Sequence, residues 1–170
     1  MAIASTASAR SPADALDRSL GELLVQSGKL GARDLERALS ARDELGQRLP
    51  DIMVQLGLVS ESDLAQARGR LHGVPFIPAG ELPEAWPDIE GLQPTFLSTH
   101  RVLPLARDEQ ALSVAVSDPG DEFVLKALRL ATGLQIIFSE TATTEIDDAL
   151  SEHGAATADD TQAVDDQEVD

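Results

Sequence analysis

Leucines at positions 16, 20, 23 and 24 fall at i, i+4, i+7 and i+8, which is one apolar stripe of a helix. Ser11-Pro12-Ala13-Asp14 supplies its start: a hydroxyl N-cap, a proline in the first turn and an acid at the third position. Gly28 is placed to end it, because glycine adopts the left-handed conformation of a helix stop at no steric cost. Leu30 then leads into a second helix over 32–43, with Leu35, Ala38 and Leu39 facing inward. The plan repeats with Ile52, Met53 and Leu56 as the inward residues, a stop at Gly57, and a helix that opens at Ser60-Glu61-Ser62-Asp63 and closes at Gly73.

The recurrence is literal. Residues 20–38 return as 49–67, shifted by 29 positions, with identities at Leu20/Leu49, Val25/Val54, Gln26/Gln55, Gly28/Gly57, Asp34/Asp63, Leu35/Leu64 and Ala38/Ala67. A helix–turn–helix unit this short cannot bury its own apolar face, so the two copies must pack on each other. Residues 12–78 are therefore expected to form a helical repeat subdomain.

After Gly73 the period changes. Val74-Pro75-Phe76-Ile77-Pro78 must be extended, since each proline disfavours helix in the residue before it. Pro83, Pro87 and Gly91 mark residues 79–92 as a linker. Beyond it a short helix is expected at 94–98, then strands at 101–105 and 111–116 around an Asp108-Glu109-Gln110 turn. A helix over 122–132 closed by Gly133, a strand over 134–139 and a helix over 144–153 follow. The expected fold class is α+β: two helix–turn–helix repeats, then a small three-stranded β-β-α-β-α sandwich over 93–153.

Composition refines this picture at the ends of the chain. Residues 1–11 are rich in Ala and Ser, lack the continuous apolar stretch of a signal peptide, and read as a disordered start. Residues 154–170 hold six acidic residues and no basic ones, and read as a flexible tail or linker. The net charge of −17 repels phosphate and argues against nucleic-acid binding; it suits a basic protein partner or simple solubility. With no cysteine in 170 residues, disulfides, thiolate metal sites and thiol catalysis are excluded. No apolar run approaches the ~20 residues of a membrane span.

Candidate chemistry is sparse. His72, His100 and His153 lie far apart without paired ligand spacing, so no metal or catalytic role is assigned to them. Glu61/Asp63 and Asp147/Asp148 sit in first turns, where acids complement the helix dipole. Asp118-Pro119-Gly120-Asp121 is turn chemistry. Trp86, the sole tryptophan, is suited to cover an apolar seam or to anchor a partner. No Gly-x-x-x-x-Gly-Lys-Ser/Thr phosphate loop occurs, and no catalytic constellation is present.

The two copies, taken as Ser19–Arg42 and Arg48–Leu71 with Asp43–Gln47 between them, resemble the N-terminal domain of the type II secretion and type IV pilus assembly ATPases. That family's motif runs Arg-Leu-Gly, two aliphatics, Gly, two aliphatics, Leu-x-x-x-Leu and a closing Gln. His72-Gly73-Val74-Pro75-Phe76, Arg101-Val102-Leu103-Pro104-Leu105, Val116-Ser117-Asp118-Pro119 and Ala131-Thr132-Gly133 also resemble family segments, in the family's order. The resemblance implies a non-catalytic module and a chain that is part of a longer protein, whose hexameric motor would use ATP and Mg. It implies docking on the cytoplasmic domain of an inner-membrane platform protein of the type II secretion protein L kind. The expected location is therefore cytoplasmic and peripheral at the inner membrane, without direct insertion.

Some family members bind cyclic di-GMP through these copies, and the residues that the resemblance assigns to such a site here are Leu20, Gly21, Gly28, Arg48, Leu49 and Gly57. Arginine would offer a planar donor fork and glycine a close backbone approach. The first copy has Ser19 for the motif arginine, Lys29 for an aliphatic and Arg42 for Gln; the second has Pro50 for Gly, Arg68 for Leu and Leu71 for Gln. These departures favour docking as the function, with a cyclic di-GMP receptor as the alternative; no other cofactor is expected.

Overall fold

The computed structural model describes the backbone of residues 11–162 and divides into two compact units, residues 1–67 and 68–170. The expectations for residues 1–10 and 163–170 lie outside the described residues.

The first unit is built from α1 (Pro12–Gln26), α2 (Ala32–Leu45), α3 (Leu49–Gln55) and the first part of α4 (Glu61–His72). Ser11 and Asp14 form a reciprocal capping box at the start of α1. The two helix stops are copies of each other. The amide of Lys29 donates to Leu24 and that of Gly28 to Val25; 29 residues on, Leu58 donates to Met53 and Gly57 to Val54, all at 2.9–3.0 Å. Gly28 and Gly57 take φ of 73° and 67°, as a left-handed stop requires. Leu20, Leu24, Leu49, Ile52 and Met53 fill the core of this unit, with Leu30 and Val59 contributing from the two apolar steps.

Leu16 and Leu56 face outward, contrary to the stripe read from the sequence. Leu56 is the C-cap of α3, one position past the helical turn that carries Ile52 and Met53 into the core.

The second unit runs from Arg68 through α5 (Pro94–His100), β1 (Val102–Arg107), β2 (Ala111–Val116), α6 (Glu122–Thr132), β3 (Gln135–Glu140) and α7 (Thr143–Gln162). The sheet order is β1-β2-β3, with β1 and β2 antiparallel and β2 and β3 parallel across α6. Asp108 fixes the hairpin turn by accepting the amides of Gln110 and Ala111, both at 2.7 Å, and these donors hold its carboxyl below the usual range. One sheet face packs Leu112, Val114, Val116 and Ile136 against Val124 and Leu128 of α6. The other packs Leu103 and Ala115 against Ile146 of α7.

Three boundaries differ from the sequence reading. The first unit ends at Ala67, within α4, and not at residue 78, so the end of that helix and the extended 74–78 segment belong to the second unit. Residues 79–92 are integral to the second unit: Ile89 and Leu92 are buried in one of its clusters, and Leu82 and Trp86 pack on the other. Prolines stop regular structure there but do not prevent the apolar residues between them from reaching the core. The last helix continues to Gln162, through a stretch read as tail, because Ala155, Ala156 and Ala158 are strong helix formers.

Candidate functional site

The six residues that the resemblance singles out lie in the first unit with distinct local roles. Leu20 and Leu49 are core residues. Gly21 is buried under Leu35: a β-carbon there would sit 2.5 Å from Leu35 Cδ1, so glycine permits the approach of α1 and α2. Gly28 and Gly57 are the helix stops, and a β-carbon at either would meet nothing within 4 Å.

Arg48 is the N-cap residue of α3, and its Nη2 donates to Oδ1 of Asp17 on α1 at 2.8 Å. The Asp17 side chain is 5% exposed and that of Arg48 is 55% exposed, so a buried carboxylate is neutralised by a cation that reaches water. This charge-assisted bond ties the start of the second copy to the first helix of the first.

The motif departures have local roles as well. Ser19 bonds back to the Ala15 carbonyl at 3.1 Å. Lys29, at an aliphatic position of the motif, reaches Asp63 at 2.9 Å and joins the turn of the first copy to α4 of the second. That bond, with a further one from the Ser60 hydroxyl, holds the Asp63 carboxyl below its ordinary value despite some desolvation. Pro50 is buried in the first turn of α3, where its missing N–H is not needed.

A second polar centre, in the second unit, was not found from the sequence. Nη1 of Arg68 donates to the Ser117 carbonyl and lies 3.3 Å from Oε1 of Glu140. The Glu140 side chain is fully buried and that of Arg68 is 18% exposed. Burial pushes the Glu140 carboxyl up to about 8; Arg68 opposes this and the charge of Asp118 adds to it. The main chain of Glu140 is also fixed, its amide donating to Pro75 and its carbonyl accepting from Ile77, both at 2.8 Å. Gly69 borders this centre: a β-carbon there would be in ordinary contact with Oε2 of Glu140 at 3.7 Å and tight against the Val74 carbonyl oxygen at 3.2 Å. Nearby, the His72 ring packs on Gly120, where a β-carbon would come within 2.6 Å of it. The signal available in the sequence was Arg68, a charge at an apolar position of the motif.

Of the other candidates, His100 lies between the rings of Phe96 and Phe123, at 4.7 and 5.3 Å. Asp118 accepts the Gly120 amide, as a turn residue does. Among the described residues no group of three or more His, Asp or Glu side chains is placed to hold a metal, and no helix is long and apolar enough to cross a membrane.

The chain is 34% identical over 133 residues to type II secretion system protein E of Xanthomonas campestris pathovar campestris, covering 76% of this chain and 24% of that protein. It is 32% identical over 118 residues to the type IV pilus assembly ATPase PilB of Myxococcus xanthus, covering 69% of this chain and 21% of that one. The chain thus spans about a quarter of the length of these relatives. Among solved structures, the N-terminal domain of XpsE superposes with a TM-score of 0.65 at 32% identity, over 80% of this chain and 94% of that one. The structure of MshE with cdg superposes with a TM-score of 0.64 at 30% identity, over 78% and 96%. The MshEN domain model matches residues 72–160, more than half of the chain. With the α+β architecture in agreement, the chain belongs to the MshEN domain family, homologous to type II secretion protein E and to the XpsE N-terminal domain.

Proposed function

We propose that this chain is the non-catalytic docking and regulatory domain of a type II secretion ATPase. In this reading it binds the cytoplasmic domain of an inner-membrane platform protein and couples that contact to a hexameric motor that uses ATP and Mg. The observation that carries the reading is its likeness to the XpsE N-terminal domain over 94% of that chain. The state of the repeat supports docking over nucleotide binding. Arg48 is already committed to the buried Asp17 carboxylate, and Ser19 stands where the other motif arginine would be. Work at the cytoplasmic side of the inner membrane, through the partner, follows from the same reading.

The second reading is a cyclic di-GMP receptor, favoured by the likeness to MshE solved with cdg, taken here as cyclic di-GMP. Leu20, Gly21, Gly28, Arg48, Leu49 and Gly57 would then form its site, with Arg48 exchanging Asp17 for a phosphate. Calorimetric titration with cyclic di-GMP separates the two. No heat with the nucleotide and a saturable signal with the platform domain is the expected result. Micromolar nucleotide binding that is lost in Arg48→Ala would overturn docking as the primary role.

A further inference from the structure

A groove of about 380 Å³ opens in the second unit between the 80–86 segment and the first turns of α7. Its apolar wall includes Leu82 and Trp86, both seated on the cluster of Leu103, Ala115 and Ile146. Its rim carries Glu84, Glu145, Asp148 and Glu152, and among the described residues no basic one lines it. Arg101 pairs with Asp147 of the same helix at 3.1 Å, whereas none of the four rim carboxylates forms an ion pair with a described residue. An indole and four carboxylates lining one groove match one chemistry, a cationic side chain on an apolar stem. Arginine and lysine stack on indole faces and lay their methylenes on apolar surface while the charge meets carboxylates.

We propose that this groove docks a basic, extended protein segment, with an arginine or lysine stem against Trp86 and its charge among Glu145, Asp148 and Glu152. The assignment goes beyond the docking reading and does not rest on it. The chain's net charge of −17 would draw such a segment in and repel an acidic one.

Trp86 is the only tryptophan, so its emission reads the groove directly. The test titrates the 170-residue chain with a nonapeptide alternating Arg and Leu, with a Glu-Leu counterpart and with spermine, in about 0.15 M salt. The expected result is a saturable change in Trp86 emission with the Arg-Leu peptide alone. The double variant Asp148→Asn/Glu152→Gln, at two exposed positions, weakens it roughly tenfold, while Glu36→Gln/Glu44→Gln, which removes the same charge from α2, leaves it unchanged. Equal weakening by both variants would reduce the effect to net charge and overturn the groove. So would an unchanged Trp86 spectrum, and spermine binding as tightly as the peptide would exclude a protein segment as the ligand.

Discussion

Among the described residues, each unit buries one carboxylate against one arginine, and the two pairs differ in where the cation sits. Asp17 is matched by Arg48, whose side chain is more than half exposed. Glu140 is matched by Arg68, which is itself largely buried and also holds the Ser117 carbonyl. A cation at the surface keeps much of its hydration and neutralises the acid from outside. A buried cation must lose its water too, and at Glu140 the desolvation outweighs the attraction, so the carboxyl holds its proton near neutral pH. The first arrangement fastens two repeats and leaves a guanidinium accessible; the second locks helix, loop and strand end inside one unit.

The largest expected effect is on the pH dependence of the second unit. A carboxyl raised from 4.5 to about 8 in the folded state contributes stability that is full below pH 4.5. That contribution is lost as pH rises through 8, and amounts to at most about 5 kcal/mol. Urea unfolding followed by Trp86 emission should therefore show falling stability from mildly acid to mildly alkaline pH, and Glu140→Gln should flatten the profile. A profile unchanged in that variant would remove the contrast between the pairs.

Next in size is the cost of removing each cation. Arg68→Met should destabilise the second unit by about 3 kcal/mol, because the Ser117 carbonyl and a buried acid lose their donor together. Arg48→Met should cost only about 1–2 kcal/mol, since water can approach Asp17 from the side the arginine vacates. Equal costs would show that exposure of the cation does not decide the matter.

The glycine stops test the repeat separately. Gly28→Val and Gly57→Val should each cost about 2 kcal/mol through strain at positive φ, read as a lower helical unfolding midpoint. A β-carbon meets nothing at either site, so the strain is purely conformational and Gly→Asn should be tolerated better. The smallest effect belongs to Lys29→Ala, about 0.5 kcal/mol for a half-exposed ion pair. It should be seen only above the titration of Asp63, because the lowered carboxyl contributes stability that disappears as pH falls through it.

Much of the fold was legible because its signals are local. The helix stops need only a glycine, its own amide and that of the next residue, and they appear at both copies as the repeat requires. The hairpin needs Asp108 and the amides of Gln110 and Ala111. The linker reading failed because prolines at 83 and 87 report the absence of regular structure, not the absence of burial, and Trp86 and Ile89 are core-forming all the same. Leu56 failed for a similar reason: periodicity places it on the apolar stripe, but the helix ends one residue too early to carry it inward.

The candidate site was legible as a set of residue types and not as an arrangement. Sequence by itself determined the duplicated helices, their stops, the order of strands and helices in the second unit, and the acidity of the chain. Tertiary structure alone decided the partners of its charges: Arg48 finds Asp17 across 31 residues and Arg68 finds Glu140 across 72. It also decided that Trp86 lines one groove with carboxylates of α7. Backbone hydrogen bonds and apolar periodicity are set within a turn or two of chain. The environment of a buried charge is set by whichever distant segments the packing brings beside it.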